Sequence, residues 1–134
     1  MNQESKIVSL SATGLDSPGL ISKITAKIHA MNGNILDVEE VCRRGLFSIF
    51  LIIDFAKSGR PLVEITNDLK EIEKINGLKI SLGIYEDENV INKAAGENYI
   101  ITILGEDQPG IIARVSAFFY QHNVNIQYFD LLLL

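Results

Sequence analysis

Asp16-Ser17-Pro18-Gly19 and Asp107-Gln108-Pro109-Gly110 repeat one string, Asp-x-Pro-Gly, within a chain of 134 residues. Each string follows a β-rich run (7–12 and 99–104) and precedes an amphipathic one. Such a strand-to-helix junction leaves the first N–H groups of the helix without acceptors, and with the helix dipole they attract an anion. Gly19 and Gly110 carry no side chain, so a ligand or a second backbone can approach closely. The carboxylate of an amino acid can dock there, with Asp16 or Asp107 facing its ammonium group. The plainer account is that Asp and Pro-Gly only start a helix, and one isolated copy would favour it. Two copies, each followed by an Asn opening the next strand (Asn34 and Asn125), shift the balance toward a ligand.

Other reactive residues form no such pattern. His29 and His122 fall near the ends of the two helices, where a His complements the dipole. Asp37, Glu39 and Glu40 make an acidic patch that reads as a solvated face, although its oxygens are of the kind Ca²⁺ or Mg²⁺ takes. No His, Cys and Asp cluster has metal-ligand spacing, so neither a metal nor another cofactor is expected. Ser9, Ser11 and Thr13 alternate on the first strand, and no base is positioned for them or for Cys42. No Ser-His-Asp arrangement can be argued from chain order alone. These residues point to a binding module, not an enzyme.

The strings belong to a longer duplication. Residues 14–37 and 105–128 align without gaps at an offset of 91 (105 − 14). Gly14, Asp16, Pro18, Gly19, Ile21, Asn34 and Ile35 pair with Gly105, Asp107, Pro109, Gly110, Ile112, Asn125 and Ile126.

The elements that must hold these residues follow from periodicity. Strand one is expected over about 6–12. Asp16 or Ser17 is the expected N-cap of a helix, with Pro18 in its first turn. Leu20, Ile21, Ile24, Ile28 and Met31 give that helix one apolar face, and Asn32-Gly33 ends it, with Gly in the left-handed cap. Residues 34–42 read as strand two, 43–46 as a turn with Gly45, and 47–55 as strand three with Phe47, Ile49, Leu51 and Ile53 on one face. Pro61 opens a second helix with Leu62, Ile65, Leu69 and Ile72 inward, stopped at Asn76-Gly77. Leu78, Ile80, Leu82 and Ile84 alternate as strand four. The order is β-α-β-β-α-β, a ferredoxin-like α+β fold with an antiparallel sheet and helices on one face. It fills residues 1–85 as a complete domain.

Residues 86–97 are polar and uneven, which marks a linker. Residues 98–134 hold the first half of a second copy, a β-α-β piece. Ile111, Ile112, Val115, Phe118 and Phe119 lie on its helix, and its last strand covers 125–134. The strand that would lie between its two strands is missing. Either the two pair directly as a right-handed crossover, or another chain supplies a strand, or the chain is a fragment of a longer protein.

The pattern G-x-D-x-P-G-[LI]-I, followed some 14 residues on by the Asn that opens the next strand, resembles ACT domains, the regulatory modules of amino-acid metabolism. The resemblance covers 6–85 as a full domain and 99–134 as a half. The tandem arrangement is similar to that of glycine cleavage system regulators and of the N-terminal region of some phosphoserine phosphatases. It implies an effector held at a domain or subunit interface, commonly a homodimer. The polar residue before Pro-Gly and the Asn that opens strand two would touch it. Carried onto this chain, the ligand contacts are Asp16, Pro18, Gly19, Leu20 and Asn34, and Asp107, Pro109, Gly110, Ile111 and Asn125. Asp stands here where serine-sensing relatives have Asn, and Gly14 and Gly105 where a His can occur. Glycine is therefore as good a ligand as serine.

Composition bounds the rest. The chain is 47% hydrophobic with a net charge of −5. A chain this long can bury roughly 65–70% of its unfolded surface. Its longest basic cluster is Arg43-Arg44, which speaks against contact with nucleic acid. An RNA-recognition reading of the same topology also fails, because strand one has no aromatic residue. Cys42 is the only cysteine, and a reducing compartment such as the cytoplasm fits. No signal-peptide layout opens the chain, and no apolar run reaches the ~20 residues needed to cross a bilayer. The expected function is ligand-responsive regulation. The alternatives are a ligand-free dimerisation module and a regulatory segment of a phosphoserine phosphatase, whose catalytic Asp-rich motif is not in this chain.

Overall fold

The computed structural model describes residues 6–85, 97–106 and 108–131. It contains two compact units, 1–94 and 95–134.

In unit 1 the order is β1 (Ile7–Leu15), α1 (Leu20–Ala30), β2 (Asn34–Arg43), β3 (Leu46–Asp54), α2 (Leu62–Lys70), a 3₁₀ turn (Glu71–Lys74) and β4 (Lys79–Tyr85). The sheet order is β2-β3-β1-β4, and every neighbouring pair is antiparallel. This is the expected ferredoxin-like arrangement. Alternate residues of β1 (Val8, Leu10, Ala12) and β3 (Phe47, Ile49, Leu51, Ile53) point to one face. Leu20, Ile24, Ile28 and Met31 of the first helical segment and Ile65, Leu69 and Ile72 of the second close over that face to form one core.

Several boundaries differ from expectation for local reasons. β1 runs on to Leu15 because Thr13, Gly14 and Leu15 find ladder partners in Ser48, Phe47 and Leu46. α1 begins at Leu20, not at Pro18. Gly19 is its N-cap in the left-handed region (φ 85°), and no side chain caps the helix. Neither Asp16 nor Ser17 therefore serves as the N-cap. Ile21 is 40% exposed because the core stripe runs Leu20, Ile24, Ile28, Met31, and its neighbour by one residue turns off it.

The end of α1 also corrects the expectation for Gly33. Asn32 holds the left-handed position (φ 58°). Its N–H donates to His29 O, and that of Gly33 donates to Ile28 O at 3.0 Å, a Schellman closure. Gly33 is required for space instead. A Cβ there would lie 2.7 Å from Phe55 Cε1 and 2.8 Å from Ile28 Cγ2. Between β2 and β3, Arg44 (φ 53°) and Gly45 (φ 79°) form a two-residue turn with both residues left-handed. An irregularity between Ile35 and Asp37 leaves Leu36 out of the β2 ladder and 50% exposed.

Unit 2 contains α3 (Ile111–Gln121), which opens on Gly110 (φ 81°) and closes through Asn123 (φ 57°). Its Schellman closure repeats that of α1, with Asn123 N–H to Tyr120 O and Val124 N–H to Phe119 O. The expected flanking strands form no ladder among the described residues. Direct pairing of the two runs is thus overturned, and unit 1 gives the reason. There β1 and β2 never bond to each other; each bonds to β3, which lies between them. The described part of unit 2 holds no counterpart of β3. The expected linker lies outside the described residues except for residue 97, as do residues 132–134.

Candidate ligand-binding site

The loop from β1 to α1 is fixed where it leaves β1. Asp16 N–H donates to Gly45 O at 2.9 Å, which ties it to the β2–β3 turn. Asn76, itself left-handed (φ 55°), donates its side-chain N–H to Leu15 O at 2.9 Å. Asp16 and, beyond these anchors, Pro18 and Gly19 are exposed. The first N–H groups of α1 have no side-chain cap, and its first turn carries no acidic residue. An anion at this end would meet unscreened positive dipole.

Freed from capping, the Asp16 carboxylate faces Cys42 of β2. The Cys42 thiol donates to Glu40 Oε1 at 3.0 Å. The hydrogen bond to Glu40, partial desolvation and the Asp16 carboxylate together push the thiol up to about 12. Cys42 is exposed but held as a neutral thiol, so thiolate chemistry is suppressed.

Leu20, proposed as a ligand contact, has its side chain in the core at 2% exposure. Asn34 is exposed at the start of β2. With Ser22, Thr25, His29, Gly33 and Ile35 it lines an open depression of about 480 Å³. No residue of the Asp16–Gly19 loop takes part in that lining. The strand register explains the separation. Asn34 pairs with Asp54, and Asp54 pairs with Ile7 at the start of β1. Asp16 follows Leu15 at the other end, eight residue steps away (15 − 7). At ~3.3 Å per residue the two levels stand ~26 Å apart.

In unit 2, Asp107 lies outside the described residues. Pro109, Gly110 and Asn125 are exposed, and Ile111 is half-buried at the head of α3. His122 Nδ1 donates to Phe118 O at 2.8 Å, and its ring packs 4.4 Å from the Phe118 ring. That contact satisfies the helix end. Asp37 and Glu39 lie opposite Ile52 and Phe50, whereas Glu40 lies opposite Ile49, so the acidic patch is split between two faces. Among the described residues no group of three His, Cys, Asp or Glu could hold a metal ion. None of their helices is long and apolar enough to cross a membrane.

The sequence named Asn32 and Asn76 only as parts of helix stops and did not single out Asn123; the left-handed role of Asn32 and Asn123 and the bond from Asn76 to Leu15 O were not read from it. Asn32 and Asn123 obey the same offset of 91 and close the two repeated helices. The duplication itself was the signal for that pair.

The fold has counterparts among known proteins. Residues 6–83 match a family model described as ACT domain, and residues 99–131 match a second model with the same description. A UPF0237 protein of Methanococcus maripaludis is 24% identical over 83 residues, covering 62% of this chain and 89% of the relative. An ACT domain protein from Streptococcus pneumoniae superimposes with a TM-score of 0.53 at 15% identity, over 69% of this chain and 99% of that one. A crystal structure described as a glycine cleavage system transcriptional repressor gives a TM-score of 0.64 at 14% identity, over 94% of this chain and 71% of that one.

Proposed function

The chain belongs to the ACT domain family, and from that premise we propose that it is a cytoplasmic regulatory module that binds a small amino acid and controls a metabolic enzyme or regulator. The ligand is glycine or serine-like and sits at an interface between domains or between the subunits of a homodimer. The observation that carries this reading is the separation of Asp16 from Asn34. Both are exposed, but their levels differ by ~26 Å. One amino acid spans about 3.8 Å of chain, so it cannot touch both within one copy. A ligand that uses both must lie where two surfaces meet. The uncapped start of α1 supports the same reading, because its first N–H groups and the helix dipole attract an anion. A ligand acts through such an interface only if it binds one arrangement more tightly than another.

A ligand-free dimerisation module is the second reading. It is favoured by the absence of any buried polar or charged residue among the described residues, so nothing polar is desolvated in readiness for a ligand.

A thermal-shift screen of the full chain against the twenty amino acids at millimolar concentration separates the two. Sensing predicts a selective rise, worth about 2.7 kcal/mol at a hundred times the dissociation constant. The rise should vanish in Asp16→Ala and in Asn34→Ala. A flat response to every amino acid would discard sensing and leave assembly.

A further inference from the structure

We infer that the depression beside Asn34 reads the side chain of the bound amino acid, and that Thr25 and His29 make it select one that carries a hydroxyl. This rests on the amino-acid reading above and narrows its ligand.

One face of α1 builds the depression. Ser22, Thr25 and His29 follow one another at spacings of three and four, so they share a stripe. The core stripe Leu20, Ile24 and Ile28 lies on another face of the helix. The turn at Asn32-Gly33 returns the chain beside the polar stripe, and Gly33, Asn34 and Ile35 complete the lining. The hollow of about 480 Å³ falls within the ~300–1,000 Å³ of small-molecule sites.

The lining sets the chemistry. It holds no carboxylate, lysine or arginine, so a charged side chain finds no fixed counter-ion there. His29 stands in the last turn of α1, where the negative end of the dipole disfavours a carboxylate. The Thr25 hydroxyl donates to Ile21 O at 2.8 Å, which leaves its lone pairs to accept from outside. The His29 ring has no hydrogen-bond partner among the described residues, and a neutral imidazole offers one donor and one acceptor. A ligand hydroxyl matches the pair, donating to Thr25 Oγ1 and accepting from His29. Glycine leaves both groups to water. The duplication keeps hydrogen-bonding types at both positions. At the offset of 91, α3 carries Ser116 for Thr25 and Tyr120 for His29 (116 − 25 and 120 − 29).

The test is calorimetric titration of the full chain with L-serine and L-alanine, which differ only by the hydroxyl. Serine should bind about tenfold tighter, the upper end for one net hydrogen bond. Thr25→Val and His29→Leu should each bring that ratio down to about threefold or less. A melt without ligand checks that each variant is folded. The imidazole ring protons read the contact directly by NMR. The chain has two histidines, and the signal that is absent in His29→Leu should move with serine and stay put with alanine. If a variant binds neither amino acid, that wild-type signal decides. Equal affinity for serine and alanine, tighter binding of L-aspartate than of serine, or a serine preference that survives both variants would overturn this inference and leave amino-acid sensing standing. A wild type that binds no amino acid would overturn both.

Discussion

Asp16 and Asn34 stand at opposite ends of the unit 1 sheet, Asp16 beyond the Leu15–Leu46 pair and Asn34 level with the Ile7–Asp54 pair. Under the interface reading each site takes its Asp from one copy and its Asn from another. Asp16→Ala and Asn34→Ala should each abolish ligand binding alone. Mixed after unfolding and refolding together, they should regain about a quarter of wild-type capacity, because half of the dimers are mixed and one of their two sites is intact. Calorimetric titration of the mixture checks this. No recovery in a mixture that demonstrably exchanges subunits would refute a site shared between subunits.

Cys42 is held neutral by Glu40 first, with desolvation and Asp16 adding to it, and its thiol is raised to about 12. The sign follows from the raised value. Whatever stability the thiol form contributes is fully present below the unfolded value and is lost only as pH rises through about 12. Alkylation by iodoacetamide should therefore keep accelerating about tenfold per pH unit from pH 7 to 10, with no plateau, since only the thiolate reacts. Glu40→Gln should bring a plateau into that range. A plateau near pH 9 in the wild type would contradict the assignment.

Much of this fold was legible because its signals are local. The alternation of Phe47, Ile49, Leu51 and Ile53 and the spacing of Leu20, Ile24 and Ile28 each name a buried face without knowledge of the partner. What was not legible depends on distant chain. The three added residues of β1 exist because β3 is long enough to pair with them. Gly33 reads as a cap until Phe55 and Ile53 are seen to crowd it. The candidate site divides in the same way. The repeated Asp-x-Pro-Gly string is visible in sequence, but the distance between Asp16 and Asn34 is a matter of register across β3. The runs that flank α3 carry a strand pattern but form no ladder among the described residues, because a strand is held only by a neighbour.

Asn76 ties the β4 side of unit 1 to the loop that carries Asp16, through its bond to Leu15 O. Asn76→Gly keeps the left-handed backbone at φ 55° and removes only the donor. The expected loss of stability is about 0.5–1 kcal/mol, the usual net worth of one such bond. If the anchored loop matters for binding, amino-acid affinity should fall by more than stability does. Denaturant melts and calorimetric titration of the same variant compare the two. Unchanged affinity would mean that the loop holds its shape through the Asp16–Gly45 bond alone.

Gly33→Ala tests the packing beneath Asn34. The added methyl would sit 2.7 Å from Phe55 Cε1, 2.8 Å from Ile28 Cγ2 and 3.0 Å from Ile53 Cγ2. Ile28, Ile53 and Phe55 are fully buried, so none can swing away into solvent. Overpacking of this kind costs about 1–3 kcal/mol. For a unit of this size that lowers the melting temperature by roughly 4–8 °C per kcal/mol. Asn32→Gly is the control on the neighbouring residue. It keeps the left-handed C-cap at φ 58° with the residue that tolerates it best, so the melt should stay within about 1 kcal/mol of wild type. Equal losses from the two substitutions would mean that the helix end, not the crowding at Gly33, limits the stability of this corner.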